Sequence, residues 1–322
     1  MSLRSIAKRA LPYLPSWIQK ALRQKAQQQR LEQHAARKVR TQVSVDDILK
    51  QLGSMGLDRD LLVHGSVSNI GKLDKPVTAL VDAWLNSLDL TQQTVLVPAL
   101  PYNTTMREYL DSCVLFDVRT ARNAMGAISA VVMAKEGARR SVHPTHSLVA
   151  LGAEAQAYTD SHHCDQTPFG AHSPYWHITR KRGQILMVGV GLNSVTCFHV
   201  YEDLLGDDLP FPVYLPEAFD IACVDAQGEP LTVSTRCHNP KQSVIRDCER
   251  ARPWLESAGA IRTVKLGESE LSVIDAYLFT KVLLERLKKG ESIYGKVKLS
   301  AGQVAAINSA LERLSRAEQG AK

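Results

Sequence analysis

The densest chemistry in the sequence is Arg139-Arg140-Ser141-Val142-His143-Pro144-Thr145-His146-Ser147, where two cations, three hydroxyls and two imidazoles precede an apolar run. Histidine among hydroxyls on a loop can hold an anion or shuttle a proton. A hydrogen-bonded loop that only orders the next strand has the same composition. The second candidate is Gly189-Val190-Gly191-Leu192-Asn193-Ser194-Val195-Thr196-Cys197-Phe198-His199-Val200-Tyr201-Glu202. Its spacing predicts a strand end, a glycine loop and a helix on which His199 and Glu202, three apart, share a face. Such a pair at the end of a strand lies where open α/β sheets keep their ligands, although a half-buried pair at a helix start reads the same way. The third, Leu61-Leu62-Val63-His64-Gly65-Ser66-Val67-Ser68-Asn69-Ile70-Gly71, runs from a strand into a small-residue loop. The amides and hydroxyls of Ser66, Val67 and Ser68 suit a phosphate, yet the loop is neither a Walker loop nor a G-x-G-x-x-G fingerprint, and an ordinary βα turn stays open. His162-His163-Cys164-Asp165 has metal-type residues, but four consecutive side chains converge poorly on one ion. It reads as a polar loop, and no metal is expected.

These loops need strands that end where they begin. Apolar runs at 61–63, 94–97, 147–151, 185–190, 221–224, 231–234 and 261–266 alternate with helical patterns at 76–88, 124–133, 244–257, 274–288 and 301–316. The alternation predicts an α/β fold, and a hairpin expected at Gly228-Glu229 makes the sheet mixed. Ser44 is placed to cap a helix starting at Val45, so the folded body is expected over 44–322. Ahead of it, Leu3, Ile6, Ala7, Ala10, Leu14, Trp17, Ile18, Ala21 and Leu22 recur at three- and four-residue steps between cations. That pattern predicts a basic amphipathic helical extension over 1–43, interrupted near Pro12 and Pro15.

The 322 residues are 44% apolar and 6% aromatic, which describes a globular chain with a sizeable core. Of the net charge of +6, residues 1–40 hold ten Lys/Arg against one acid, Glu32, which leaves 29 basic and 32 acidic residues in the remainder. A near-neutral body excludes the phosphate-facing basic surface of a nucleic-acid enzyme, and no nucleic-acid partner is expected. The extension suits peripheral contact with an anionic membrane surface, or packing on the body or across a homodimer interface. Six cysteines without a C-x-x-C pair read as reduced thiols. With no run near the about 20 apolar residues of a membrane span, the expected location is the cytoplasm, with any membrane contact at its inner surface.

In their order and separation the three segments resemble the aminoglycoside 3-N-acetyltransferase family. Its His-Ser-Ser-like loop, Arg-Ser-x-His-Pro-x-His-Ser block and Asn-x-x-Thr-x-x-His-x-x-Glu block correspond to His64-Gly65-Ser66, to residues 140–147, and to Asn193, Thr196, His199 and Glu202. Phe116-Asp117-Val118-Arg119-Thr120, Met125-Gly126-Ala127, Thr167-Pro168-Phe169-Gly170 and Ser173-Pro174 agree as well. The resemblance implies a single large α/β domain around a mixed sheet flanked by helices. It implies acetyl-coenzyme A as co-substrate and direct transfer of its acetyl group to an amine on an aminoglycoside or other amino sugar. His199 is then the general base, and Glu202 orients it or holds a cationic acceptor. His146 or His143 is the alternative base. The coenzyme-binding set is His64, Ser66, Val67, Ser68, Arg140, Ser141, His143 and Ser147, and Asp117 joins Glu202 at the acceptor. Residues 66–68 or Ser141 are the expected oxyanion donors. A route through an acyl-Cys197 is unattractive, since residues two apart on a helix point in different directions.

Two features depart from the family pattern: Gly65 replaces a second serine, and the extension has no counterpart. The acceptor therefore stays open. A sugar hydroxyl on a glycolipid intermediate in surface-polysaccharide assembly would need the same base, and a noncatalytic coenzyme-binding scaffold is the alternative from another class.

Overall fold

The computed structural model describes residues 40–319 continuously, together with scattered positions between 14 and 36. Seven strands form the main sheet, in the order Ile261–Leu266, Ser269–Asp275, Gln184–Val188, Leu61–Gly65, Thr94–Pro98, Leu148–Gly152 and Arg139–Arg140. The central three are parallel and the flanking pairs are antiparallel, so the sheet is mixed as expected. Alternation along the strands supplies two cores. Leu61, Val63, Val95, Val97, Leu186 and Val188 pack under helices Val45–Ser54, Val77–Asn86 and Ala127–Met133. Leu62, Leu96, Ile185 and Met187 face the opposite layer, which includes helices Pro174–Arg180, Phe198–Leu205, Ala276–Lys288 and Ala301–Gln319. A helix layer on each face buries both sides of every central strand, which is why those strands are almost wholly apolar. His64, two residues after Leu62, shares that residue's face by the same alternation and so points toward Phe198–Leu205.

The turn at Gly228 does join a hairpin, Tyr214–Val224 with Pro230–His238. It belongs to a separate three-stranded sheet with Leu115–Asp117 and its own small core, including Met106, Phe116, Ile221 and Val233, so it is not what makes the main sheet mixed. Mixing comes instead from Leu148–Gly152 and from Ser269–Asp275, a strand absent from the expected set because its alternation runs straight into the following helix. Ile274, expected in that helix, is strand, and Asp275 caps the helix by accepting from Leu278 N. The helix expected over 244–257 is broken into Pro240–Ile245, a short turn at Cys248–Ala251 and Arg252–Ser257. Ser44 caps Val45–Ser54 as expected, but Gln42–Val43 already pairs with Lys72–Leu73, and Arg40 and Thr41 bond Glu268. The body therefore begins a few residues before 44. Most of the extension's apolar stripe, Trp17 included, lies outside the described residues, while Leu22 is exposed. Among the described residues no helix is long and apolar enough to cross a membrane.

Candidate active site

Two adjacent parallel strands, Leu61–Gly65 and Gln184–Val188, end side by side, which is where open α/β sheets collect ligands. Their loops are tied together: Ser66 N donates to Val188 O at 2.9 Å and Asn69 Nδ2 donates to Gly189 O at 2.8 Å. Gly189 has a φ of +70°, and a Cβ there would sit 2.6 Å from Ser66 O, so only glycine allows the approach. The chain then turns into helix Phe198–Leu205, which brings His199 and Glu202 to the loop.

His199 Nδ1 lies 2.5 Å from Glu202 Oε2, and Tyr294 OH donates to Glu202 Oε1 at 2.7 Å. The carboxylate is sealed from solvent at 1% exposure, so these donors stand in for the water it has lost. This bonding puts the ring proton on Nδ1 and leaves Nε2 as the proton acceptor; Arg246 Nη1 donates to that atom at 2.6 Å. Burial holds the His199 pKa below its ordinary value, opposed by Glu202 and reinforced by Arg246, so the imidazole is neutral near pH 7 as a base must be. Its ring stacks on His238 at 4.0 Å between centroids, and His238 stacks in turn on Tyr214 at 4.8 Å. Phe169 lies 4.8 Å from His199 and 5.0 Å from His146. His238 Nε2 is buried with no hydrogen-bond partner.

A slot of about 290 Å³ is lined among others by His64, Met125, Ser129, Ser194 and Thr196. His64 Nε2 and Thr196 Oγ1 face each other at 3.4 Å, and Thr196 is one helical turn before His199, whose amide donates to Thr196 O. Burial pushes His64 down to about 4, so it too is neutral. Gly65 and Met125 also line a wider cavity of about 930 Å³, which carries Ser66, Val67, Ser68, Lys72, Lys75 and Gly126. Beyond Glu202 a third cavity, about 410 Å³, is bordered by Asp203, Asp207, Phe211, Tyr214 and Arg236. Burial raises the Asp203 carboxyl to about 7 against the bonds it accepts from Thr167 and Tyr214.

Of the sequence candidates, His64, Ser66, Val67 and Ser68 line the linked cavities, Glu202 lines the third, and His199 and His146 meet around Phe169. The rest of the 140–147 block joins none of these. Ser141 is fully buried, bonded to His162 Nδ1 and accepting from Leu148 N, which removes it as an oxyanion donor. His143 is sealed, stacked 4.6 Å from His162, and takes the His146 amide on Nδ1, so it serves the loop and is no base. Arg140 is spent on Ser147 and the carbonyls of Ala99, Ala121 and Arg122, and Ser147 bonds Ala99 O. The block is thus largely a brace that fixes His146: apart from His143 Nε2, which is buried without a partner, its polar groups bond one another or nearby carbonyls, and Arg140 borders only a cavity on the side of the small sheet. Asp117 pairs with Arg119 on the small sheet and is not at the acceptor side. Cys197 is fully buried with its thiol pushed well up by burial, so it offers no thiolate. His162 is likewise a core group. His238, Arg246, Tyr214 and Tyr294 went unread. Tyr214 and His238 arrive as opposed partners on the hairpin, Arg246 and Tyr294 from later loops, and only the Asn239-Pro240 helix start hinted that the chain turns here.

A buried imidazole–carboxylate pair in the helix that follows two adjacent parallel strand ends defines an α/β fold with a candidate ligand site at that edge. Residues 62–288 match the aminoglycoside 3-N-acetyltransferase family, and the chain belongs to it. It is 31% identical over 174 residues to aminoglycoside N(3)-acetyltransferase III of a Salmonella species, covering 50% of this chain and 60% of that one. An aminoglycoside N(3')-acetyltransferase-like protein of Bacillus subtilis is 25% identical over 51% of this chain and 65% of its own. The chain therefore spans about 60% of the length of the first curated relatives it matches. Among solved structures, AAC-IIIb in a binary complex with CoASH has a TM-score of 0.60 at 21% identity, over 77% of this chain and 97% of that one. AAC-VIa bound to sisomicin has a TM-score of 0.61 at 22% identity, over 77% and 98%. These likenesses establish the shared fold.

Proposed function

We propose that the protein transfers the acetyl group of acetyl-coenzyme A directly to an amino group of an aminoglycoside or another amino sugar. The observation that carries this is the Tyr294–Glu202–His199 chain ending in a neutral Nε2, three residues after Thr196, which lines the slot. In this reading the coenzyme pyrophosphate rests on the amides and hydroxyls of 66–68 with Lys72 and Lys75 nearby, and its pantetheine arm threads the slot toward Thr196. The acceptor nitrogen attacks the thioester carbonyl, and as the C–N bond forms its N–H proton passes to His199 Nε2. The C–S bond then breaks and the coenzyme thiolate leaves, to be protonated. Glu202 holds the Nδ1–H and steadies the imidazolium. Thr196 and His64, at the inner end of the slot, replace Ser141 as the groups nearest the developing oxyanion. The solved relatives with CoASH and with sisomicin support the two substrate classes.

Calorimetry with coenzyme A, and coenzyme A release from acetyl-coenzyme A over a panel of aminoglycosides, nucleotide amino sugars and free sugars, test the reading. Binding and amine-dependent release are expected. No coenzyme binding at millimolar concentration overturns it. We also propose that residues 1–40, on the charge pattern alone, rest on an anionic membrane surface at the cytoplasmic side, where each cation contributes on the order of 1 kcal/mol. Deleting residues 1–39 is expected to abolish salt-sensitive binding to anionic vesicles and leave the melting temperature in place. A large fall in stability assigns the segment to packing on the body or a dimer interface instead.

A further inference from the structure

We infer that His238 is a positioning residue for the base: it lies face to face with the His199 ring and holds that ring in the plane from which Nε2 meets the acceptor. The inference rests on the acetyl-transfer reading above. Hydrogen bonds fix His199 only at its edge, through Glu202 at Nδ1 and Arg246 Nη1 at Nε2. Because Arg246 donates to the atom that has to receive the acceptor's proton, its bond is given up when the acceptor's N–H arrives. The bond to Glu202 then remains alone. A hydrogen bond tolerates a bend of about 30°, whereas a reacting group has to be held within about 10–20° of its productive orientation, so one bond leaves the ring too free.

The packed faces supply the missing restraint. His238 lies 4.0 Å from His199 between centroids with 25° between the ring planes, Tyr214 stacks on His238 at 4.8 Å and 22°, and Phe169 tilts against His199 at 4.8 Å. These rings are themselves tied down. His238 stands opposite Tyr214 at the end of the hairpin; its amide donates to Met106 Sδ at 3.4 Å, and the next amide, Asn239 N, donates to Val213 O at 2.7 Å. Tyr214 OH donates to Asp203 Oδ1 at 2.8 Å, and Phe169 N donates to Oδ2 of the same carboxylate at 3.2 Å. Adjacent acids of one helix thus hold the base in two ways, Glu202 by its edge and Asp203 through the rings packed around it. What His238 presents to the base is its flat face. Its Nε2 is buried with no hydrogen-bond partner among the described residues, a cost that a phenyl ring in the same place would not carry.

The test measures coenzyme A release from acetyl-coenzyme A, with the acceptor that the wild type turns over best, for wild type, His238→Phe, His238→Leu and His238→Ala. Melting temperature and coenzyme A affinity are recorded on each. Phe keeps a flat face, whereas Leu fills much of the space without one. His238→Leu and His238→Ala should lower kcat about 10- to 100-fold with KM and coenzyme A affinity nearly unchanged, as loss of orientation predicts, and His238→Phe should recover most of that loss. The proton on His199 Nδ1 gives a second readout that needs no turnover. Its downfield proton resonance should stay sharp in His238→Phe and broaden in His238→Leu. A His238→Leu protein with wild-type kcat and a sharp resonance overturns the inference and leaves acetyl transfer standing. So does a kcat that falls only in step with melting temperature, which marks packing, and so does His238→Phe as slow as His238→Ala, which assigns the effect to a nitrogen. Coenzyme A binding without turnover of any acceptor by the wild type overturns both.

Discussion

At the level of single residues the site depends on which nitrogen of His199 holds the proton. Glu202 sets it, with Tyr294 donating to the other carboxylate oxygen. Glu202→Gln removes the charge that fixes the Nδ1–H tautomer and stabilises the imidazolium. Turnover of acetyl-coenzyme A is expected to fall about 10²- to 10⁴-fold with coenzyme affinity retained, measured by steady-state rates and calorimetry. Unchanged turnover would show that the pair is structural. This pair was legible in the sequence because both residues belong to one helix, where a spacing of three guarantees a shared face. His238 and Arg246 were not, since each reaches His199 from its own element, 39 and 47 residues downstream, and tertiary packing leaves no local period to read. The 140–147 block misled for the opposite reason. Its residue types are those of an anion site, but its hydroxyls and cations face inward to carbonyls and to one another.

At the level of elements, the end of the strand Leu61–Gly65 explains its own departure from the family pattern. A Cβ on Gly65 would lie 2.4 Å from Ile128 Cδ1 of the helix Ala127–Met133, which closes over the mouth of the slot. Gly65→Ser is therefore expected to destabilise the fold by about 1–3 kcal/mol through overpacking. Ile128→Val deletes the clashing methyl, so the double variant should be more stable than Gly65→Ser alone, read as denaturation midpoints. Additive losses would mean that this contact is not the constraint. Five of the seven strands of the main sheet and the helices at 77–86, 127–133, 276–288 and 301–319 could be read because their apolar periods are strong, and Ser44 gave its helix away as a cap. The hairpin at Gly228 was visible too, but not the sheet it joins, because its partner Leu115–Asp117 lies about a hundred residues earlier. Nor did the sequence show the break at 246–251, whose backbone bonds to Ile293 and Asn193 hold it out of helix.

For the molecule as a whole, the cost of this architecture is a set of histidines buried neutral in one region. Burial brings His64 and His162 down to about 4, and holds His143, His146 and His238 well below their ordinary value. In the unfolded chain these rings titrate near about 6.5. As pH falls from there toward 4 the unfolded chain binds protons the native one refuses, so stability is full above that pH and is lost below it. Each fully titrating ring contributes a slope of up to about 1.4 kcal/mol per pH unit. Urea midpoints should therefore drop steeply between pH 6.5 and 4, and a flat profile would contradict the burial of these neutral rings. The central claim is that His199 Nε2 takes the acceptor's proton, with the coenzyme held elsewhere, along the slot and the 66–68 loop. The most direct measurement is acetyl-coenzyme A turnover by His199→Ala, His146→Ala and His143→Ala, with coenzyme A affinity measured on each. The account predicts a loss of about 10²- to 10⁴-fold for His199→Ala at nearly wild-type affinity. It would be contradicted if His199→Ala kept its rate while His146→Ala or His143→Ala, folded and binding coenzyme A, lost it.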